Sequence, residues 1–179
     1  MTDTASQPHA TSTSSLTSTH TDVAQLVTAV ADTLMQHGWM LTTAESCTGG
    51  LIAGHCTDLA GSSQWFERGF VTYSNAAKTE LLGVPAALIA EHGAVSEPVV
   101  RAMAEGALRH SRAQVAVAVT GVAGPGGGSA DKPVGSVWLG WATAAGVVTQ
   151  LCHFDGDRQQ VRKATVQRAL QGLNDMLTA

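Results

Sequence analysis

Charge is scarce in this chain: 13% of its 179 residues are Asp, Glu, Lys or Arg, and the net charge is −4. The arginines and lysines are scattered rather than gathered on one stretch. A surface that tracks a phosphate backbone needs several clustered cations, so nucleic acid is not an expected partner. Cysteine is sparse as well. Cys47, Cys56 and Cys152 are odd in number and include no CxxC pair, which argues against a disulfide framework or a zinc knuckle. No His/Cys/Asp cluster suggests a metal, and neither a metal nor another cofactor is expected. No apolar run approaches the roughly 20 residues that a bilayer-spanning helix needs, and the opening residues lack the basic start and apolar stretch of a signal peptide. The expectation is a soluble, cytoplasmic protein without a membrane partner.

What the chain does contain is enough apolar material, 44% of its residues, for one sizeable core. Residues 1–20, "MTDTASQPHATSTSSLTSTH", are mostly Ser and Thr with almost nothing to bury, and read as a disordered tail. A single domain over residues 21–179 follows. Thr21 or Asp22 can cap a helix whose apolar residues Val23, Leu26, Val27, Val30 and Leu34 recur at helical spacing before Gly38. "WMLTTAE" reads as a strand, "TGGLIAGHCTDLAG" as a turn and a helix closed by Gly61, and "ERGFVTYSN" as a second strand ended by Tyr73. Two short helical patterns and a helix capped by Ser96 precede "QVAVAVTGVAG". That stretch is apolar nearly throughout, as suits a central strand covered on both faces. "GSVWLGWATAAG" and "VVTQLCHFDG" read as an antiparallel pair turning at Ala145-Gly146, and a last helix runs from Asp157 to about Leu177. Alternating strands and helices with a late hairpin predict an α/β sandwich on a mixed sheet.

In such sheets, sites form where the C-terminal ends of strands meet the N-termini of helices, because unpaired N–H groups and the helix dipole are presented there. "AESCTGG", residues 44–50, falls on such a junction. Ser46 there is either a nucleophile or a structural helix cap, and Gly49 and Gly50 let the backbone approach a ligand closely. A serine needs a base. His55 and His92 are candidates without a triad pattern around them, whereas Lys78 in "VTYSNAAK" lies just past the second strand and can reach the same sheet edge. The hydroxyl of Tyr73, the single tyrosine, could relay a proton or hold that lysine. Cys47 offers a rival thiol nucleophile, with Glu45 and Lys78 as its partners. Glu45 itself would favour a charged Lys78 if the two were close, so it is expected to point elsewhere, capping backbone N–H groups or binding substrate. The glycine-rich stretch that begins at Thr120, Gly121 and Gly124 follows the central strand, where ligand-cradling loops occur, yet it matches neither a P-loop nor GxGxxG.

Taken together, "TAESCTGG", "GSSQWFERGFVTYSNAAK", "GAVSEP", "TGVAGPGGG", "KPVGSV" and "GDR" resemble the C-terminal domain family of the competence-damage-inducible protein CinA, in particular its stand-alone nicotinamide-nucleotide amidohydrolases. The likeness spans roughly residues 22–178. It implies a three-layer α/β/α fold with a mostly parallel sheet, often as a homodimer. It also implies hydrolysis of the carboxamide of nicotinamide mononucleotide to nicotinate mononucleotide and ammonia. By the same likeness Ser46 is the nucleophile, assisted by Lys78 and Tyr73, with backbone N–H groups around Thr48, Gly49 and Gly50 holding the oxyanion. Lys132, Arg158 or Arg162 then become candidate phosphate partners. The reading from another class is a nucleotide-binding or regulatory module that keeps the pocket without turning over.

Overall fold

The computed structural model describes residues 22–179, so the tail expected over residues 1–20 lies outside the described residues. Helix α1 (Val23–His37) starts at Asp22, whose N–H donates to the Gln25 side chain, and ends where Gly38 takes a left-handed φ of 65°. Its Leu26, Val27, Val30, Ala31 and Leu34 form the buried stripe that the spacing predicts. Strand β1 (Leu41–Glu45) follows, then helix α2 (Leu51–Asp58) and a 3₁₀ turn (Ser62–Gln64). Helix α2 thus ends at Asp58, and Gly61 caps the 3₁₀ turn rather than the helix. Strand β2 (Phe66–Val71) stops two residues short of Tyr73 and is followed by the short helices α3 (Asn75–Leu82) and α4 (Ala86–His92). Helix α5 (Glu97–Arg109), strand β3 (Val115–Gly121), the hairpin of β4 (Ser136–Thr143) and β5 (Gly146–His153), and helix α6 (Arg158–Thr178) complete the chain. The hairpin turns at residues 144 and 145, one position earlier than expected, and Gly146 already belongs to β5.

The sheet order is β2-β1-β3-β4-β5. Strand β1 pairs in parallel with both β2 and β3, while β4 runs antiparallel between β3 and β5. Four strands therefore point one way and β4 opposes them, the mixed and mostly parallel sheet of the expected three-layer sandwich.

Successive residues of a strand face opposite sides, and β3 uses that alternation to build two different layers. Val115, Val117 and Val119 enter the larger core with α1, α2 and α6, whereas Ala116 and Ala118 enter the core beneath α3, α4 and α5. On the second face Gly140 and Ala142 of β4 continue the row of small side chains, and a Cβ at Gly140 would meet the Val100 carbonyl at 3.4 Å. Small residues on this face allow α5 to lie directly on the strands. All six β3 residues from Val115 to Thr120 are buried, as expected of a strand covered on both faces. Among the described residues no helix is long and apolar enough to cross a membrane.

Candidate active site

Beyond their formal ends, β1 and β2 stay anchored to the sheet. The Ser46 N–H donates to the Val119 carbonyl at 3.1 Å, and the Thr72 N–H donates to the Glu45 carbonyl at 2.8 Å. Ser46 and Thr72 are thereby held side by side at the C-terminal edge of the parallel strands. Helix α3 begins immediately afterwards at Ser74, whose hydroxyl oxygen accepts the Ala77 N–H at 3.0 Å. Lys78 occupies the first turn of that helix. Helical side chains lean toward the N-terminus, so its amine is carried back over Tyr73 and Thr72 to the serine.

The result is a buried Ser–Lys contact: Lys78 Nζ lies 3.1 Å from Ser46 Oγ, 2.9 Å from the Thr72 carbonyl oxygen and 3.5 Å from that of Tyr73. Lys78 is 1% exposed, and none of the described ion pairs involves it. A solvated cation on a helix surface is ruled out by that burial. Burial without a carboxylate pushes the Lys78 amine below the usual lysine range, because the charged form loses its hydration without gaining a counter-ion. The positive end of α3 acts in the same direction. A neutral amine has two N–H donors and one lone pair. Here the two carbonyls can accept the donors, which leaves the lone pair for the Ser46 hydroxyl.

Cys47 is in a different position. It is 5% exposed, and burial, assisted by the nearby Glu45 charge, pushes its thiol up to about 11. A thiol that stays protonated at neutral pH is a weak nucleophile, since the thiolate is the reactive form. The serine, not the cysteine, carries the contact to the Lys78 amine.

Glu45 turns away from the amine, as its expected conflict with a neutral lysine requires. One carboxylate oxygen accepts from the Thr48 hydroxyl at 2.7 Å and from the Gly50 and Ile52 N–H groups at 3.0 Å each; the other accepts from the Ala53 N–H at 2.8 Å. Glu45 is 1% exposed and caps the start of α2, so of its two expected roles the structure favours capping over substrate binding. Glu45→Gln places an amide donor among these N–H groups. An expected loss of about 1.5–3 kcal/mol in unfolding free energy, read from urea denaturation, follows from breaking charge-assisted bonds.

The capping also constrains where an oxyanion can bind. The Gly50 N–H belongs to Glu45, and the Gly49 N–H donates to the Ser46 carbonyl at 3.1 Å. Both expected glycine donors are therefore engaged within the turn, where Gly49 and Gly50 hold positive φ of 61° and 97°. Of the expected set the Thr48 N–H is left, joined by that of Cys47; neither donates to a backbone carbonyl among the described residues.

Around Ser46 and Lys78 lies a cleft of about 220 Å³ lined by Tyr73, Asn75, Val95, Thr120, Gly121 and Arg158 among others. The Tyr73 side chain is 61% exposed at its mouth, and its hydroxyl accepts from Arg158 Nη2 at 2.9 Å. Its backbone carbonyl, not its hydroxyl, is what touches Lys78. Arg158 also donates to the Gly124 carbonyl at 2.9 Å, tying the glycine-rich loop to the cleft. The Thr120 hydroxyl donates to the Ala94 carbonyl at 2.8 Å. Lys132 is not in the cleft: its amine donates to the His92 carbonyl at 2.8 Å, anchoring the loop to the end of α4. His55 and His92 sit beside Asp58 and Glu91 instead of beside Ser46. The residue pattern points neither to Asn75 nor to the Thr72 carbonyl, since a backbone acceptor leaves no mark in it. No group of three or more His, Cys, Asp or Glu among the described residues is arranged to hold a metal. A larger hollow of about 510 Å³ between Trp141, Val148, Arg168 and Met176 contains no serine, cysteine, lysine or histidine.

Known proteins share this arrangement of sequence and fold. The family model of the CinA C-terminal domain matches residues 23–177. The chain is 54% identical over 156 residues to the nicotinamide-nucleotide amidohydrolase PncC of Escherichia coli K12, covering 87% of this chain and 94% of that protein. It is also 54% identical over 151 residues to the protein of the same name from Pseudomonas putida, covering 84% and 94% of the two chains. Among solved structures, a competence/damage inducible protein from Agrobacterium tumefaciens superposes with a TM-score of 0.84 at 48% identity, covering 88% of this chain and 96% of that one. A CinA superfamily protein from Klebsiella pneumoniae gives a TM-score of 0.84 at 39% identity, with 88% and 98% covered. A match along nearly the whole described chain, with relatives more than half identical over nearly their full length, makes this chain a member of the CinA C-terminal domain family.

Proposed function

We propose that this protein is an amide hydrolase that converts nicotinamide mononucleotide to nicotinate mononucleotide and ammonia through an acyl-enzyme on Ser46. The observation that carries the proposal is the 3.1 Å contact between Ser46 Oγ and the buried Lys78 amine, which has no carboxylate partner. The relatives named nicotinamide-nucleotide amidohydrolase supply the substrate class.

In the first step Ser46 Oγ attacks the carboxamide carbon while neutral Lys78 takes the hydroxyl proton. The negative charge that develops on the carboxamide oxygen is received by the N–H groups of Thr48 and Cys47. The Lys78 ammonium then passes its proton to the amide nitrogen, the C–N bond breaks, and ammonia leaves. Water attacks the resulting ester, Lys78 accepts a proton from that water and returns one to Ser46 Oγ, and the carboxylate product departs. Tyr73, oriented at the cleft mouth by Arg158, contacts the substrate from the solvent side, and Arg158 offers its charge to the phosphate. Glu45 supports the turn without touching substrate, and Lys132 anchors the loop.

Ammonia release from nicotinamide mononucleotide by the purified protein, measured without added metal, tests this reading. The expected result is steady release of ammonia with stoichiometric carboxylate product, and a much lower kcat/KM for the nucleoside that lacks the phosphate. Tight nucleotide binding with no ammonia would instead identify a binding or regulatory module. Tyr73→Phe is expected to lower kcat/KM by about tenfold, an effect of one hydrogen bond at a polar substrate group.

A further inference from the structure

The last helix reaches the nucleophile turn through one side chain. Arg162, half-buried on α6, donates from Nε to the Cys47 carbonyl at 3.1 Å and from Nη2 to the Thr48 carbonyl at 2.9 Å. These carbonyls belong to the two residues that follow Ser46. The described arginine ion pairs are formed by Arg68, Arg101, Arg109 and Arg168 instead, so this guanidinium fork is set on backbone rather than on a carboxylate. It also packs over Gly49, where an added Cβ would lie 3.7 Å from Nη2.

Peptide geometry gives this contact a consequence. The peptides on either side of Thr48 are trans. In a trans peptide the carbonyl and the following N–H point in opposite directions. Holding the Cys47 carbonyl toward α6 therefore fixes the Thr48 N–H away from α6, and holding the Thr48 carbonyl does the same for the Gly49 N–H. The Gly49 N–H closes the turn on the Ser46 carbonyl, which leaves the Thr48 N–H as a donor of fixed direction beside the nucleophile.

We propose that Arg162 is a positioning residue for the reaction: it orients the peptides after Ser46 so that the Thr48 N–H is preset for the oxyanion, and it does not bind the substrate phosphate. The proposal rests on the acyl-enzyme reading above. A phosphate ligand on this side chain would have to compete with two carbonyls already bound, and Arg162 does not line the cleft while Arg158 does. Preset donors act on the transition state more than on bound substrate, so their loss falls on kcat.

The test compares Arg162→Met, which keeps the apolar stem, with Arg162→Lys, which can hold one carbonyl at a time. For Arg162→Met, kcat on nicotinamide mononucleotide is expected to fall about 10²–10³-fold with KM within about threefold of wild type, the range for loss of an oxyanion donor. Arg162→Lys should recover part of that loss. The acid limb of the kcat/KM profile should not move in either variant, because the Lys78 contacts are intact. A rise in KM at unchanged kcat would make Arg162 a substrate ligand and overturn the proposal, as would wild-type kinetics in a folded Arg162→Met. If Arg162→Met does not fold, Arg162→Lys decides: a kcat lowered at constant KM supports the proposal and an unchanged kcat refutes it. A fluorophosphonate probe separates this inference from the choice of substrate. The Ser46 Oγ–P bond forms, the P–F bond breaks, fluoride leaves and Lys78 takes the serine proton. If wild type labels but releases no ammonia from the nucleotide, the proposed reaction fails. Slower labelling of the arginine variants would then still support the positioning role, and equal labelling would refute it.

Discussion

Ser46→Ala is expected to lower ammonia release from nicotinamide mononucleotide by at least about 10⁴-fold, the scale on which hydrolases lose activity when their nucleophile is removed. Cys47→Ala, one residue away, should stay within about threefold of wild type. The contrast arises from local environment. Both side chains line the same cleft, but Ser46 Oγ meets a buried amine at 3.1 Å, while the Cys47 thiol is pushed up to about 11 by burial and stays protonated. Binding of the nucleotide to Ser46→Ala should persist, because the cleft walls do not depend on the hydroxyl. Initial rates by coupled ammonia detection, with binding by calorimetry, give both readouts. Substantial turnover by the alanine variant would move the nucleophile to another residue.

Lys78→Met should remove about 10²–10⁴-fold of kcat, the usual contribution of a positioned general base. It should also alter how stability depends on pH, and the sign can be derived. Burial lowers the amine below its ordinary value of 10.5, so between the lowered folded value and 10.5 the unfolded chain binds a proton that the folded chain does not. Stability of the wild type therefore rises with pH through that window. Below the lowered folded value, both states are protonated and the full penalty for burying the charge is present. Methionine has no such term. The difference in unfolding free energy between wild type and Lys78→Met is expected to shift in favour of wild type as pH approaches 10.5, as measured by urea denaturation in a pH series. The acid limb of kcat/KM in wild type reports the same group, with activity lost as Lys78 becomes charged. A difference that stays flat across the window would mean that the amine titrates alike in both states.

The legibility of the fold varied with the kind of force involved. Helix α1 and strand β3 were readable because hydrophobic burial leaves a period, Leu26, Val30 and Leu34 in one and an unbroken apolar run in the other. The end of α2 was not, because Gly61 is a strong stop signal that here serves the 3₁₀ turn after the helix. At the site, the strand-to-helix junctions mark Ser46 and Lys78 as candidates for one sheet edge, where the two meet, and the turn of Glu45 away from Lys78 follows from requiring a neutral amine, since charge alone would pair them. What could not be read was the role of backbone. The Thr72 carbonyl, the engaged Gly49 and Gly50 N–H groups, and the Arg162 grip on two carbonyls depend on peptide orientation, which no residue type encodes. Lys132 shows the same gap: in the sequence a cation in a glycine-rich loop looks like a phosphate ligand, whereas its amine donates to the His92 carbonyl at the end of α4, away from the cleft lining.

The central claim is that the amine beside Ser46 is uncharged near neutral pH. The chain has three lysines, Lys78, Lys132 and Lys163, so an NMR titration of the protein labelled with ¹³C at the lysine ε-carbons resolves each one, with Lys78→Met providing the assignment. The account predicts a Lys78 midpoint below 10.5. A Lys78 midpoint at or above 10.5 would mean a permanently charged side chain that cannot take the serine proton, and would contradict the account.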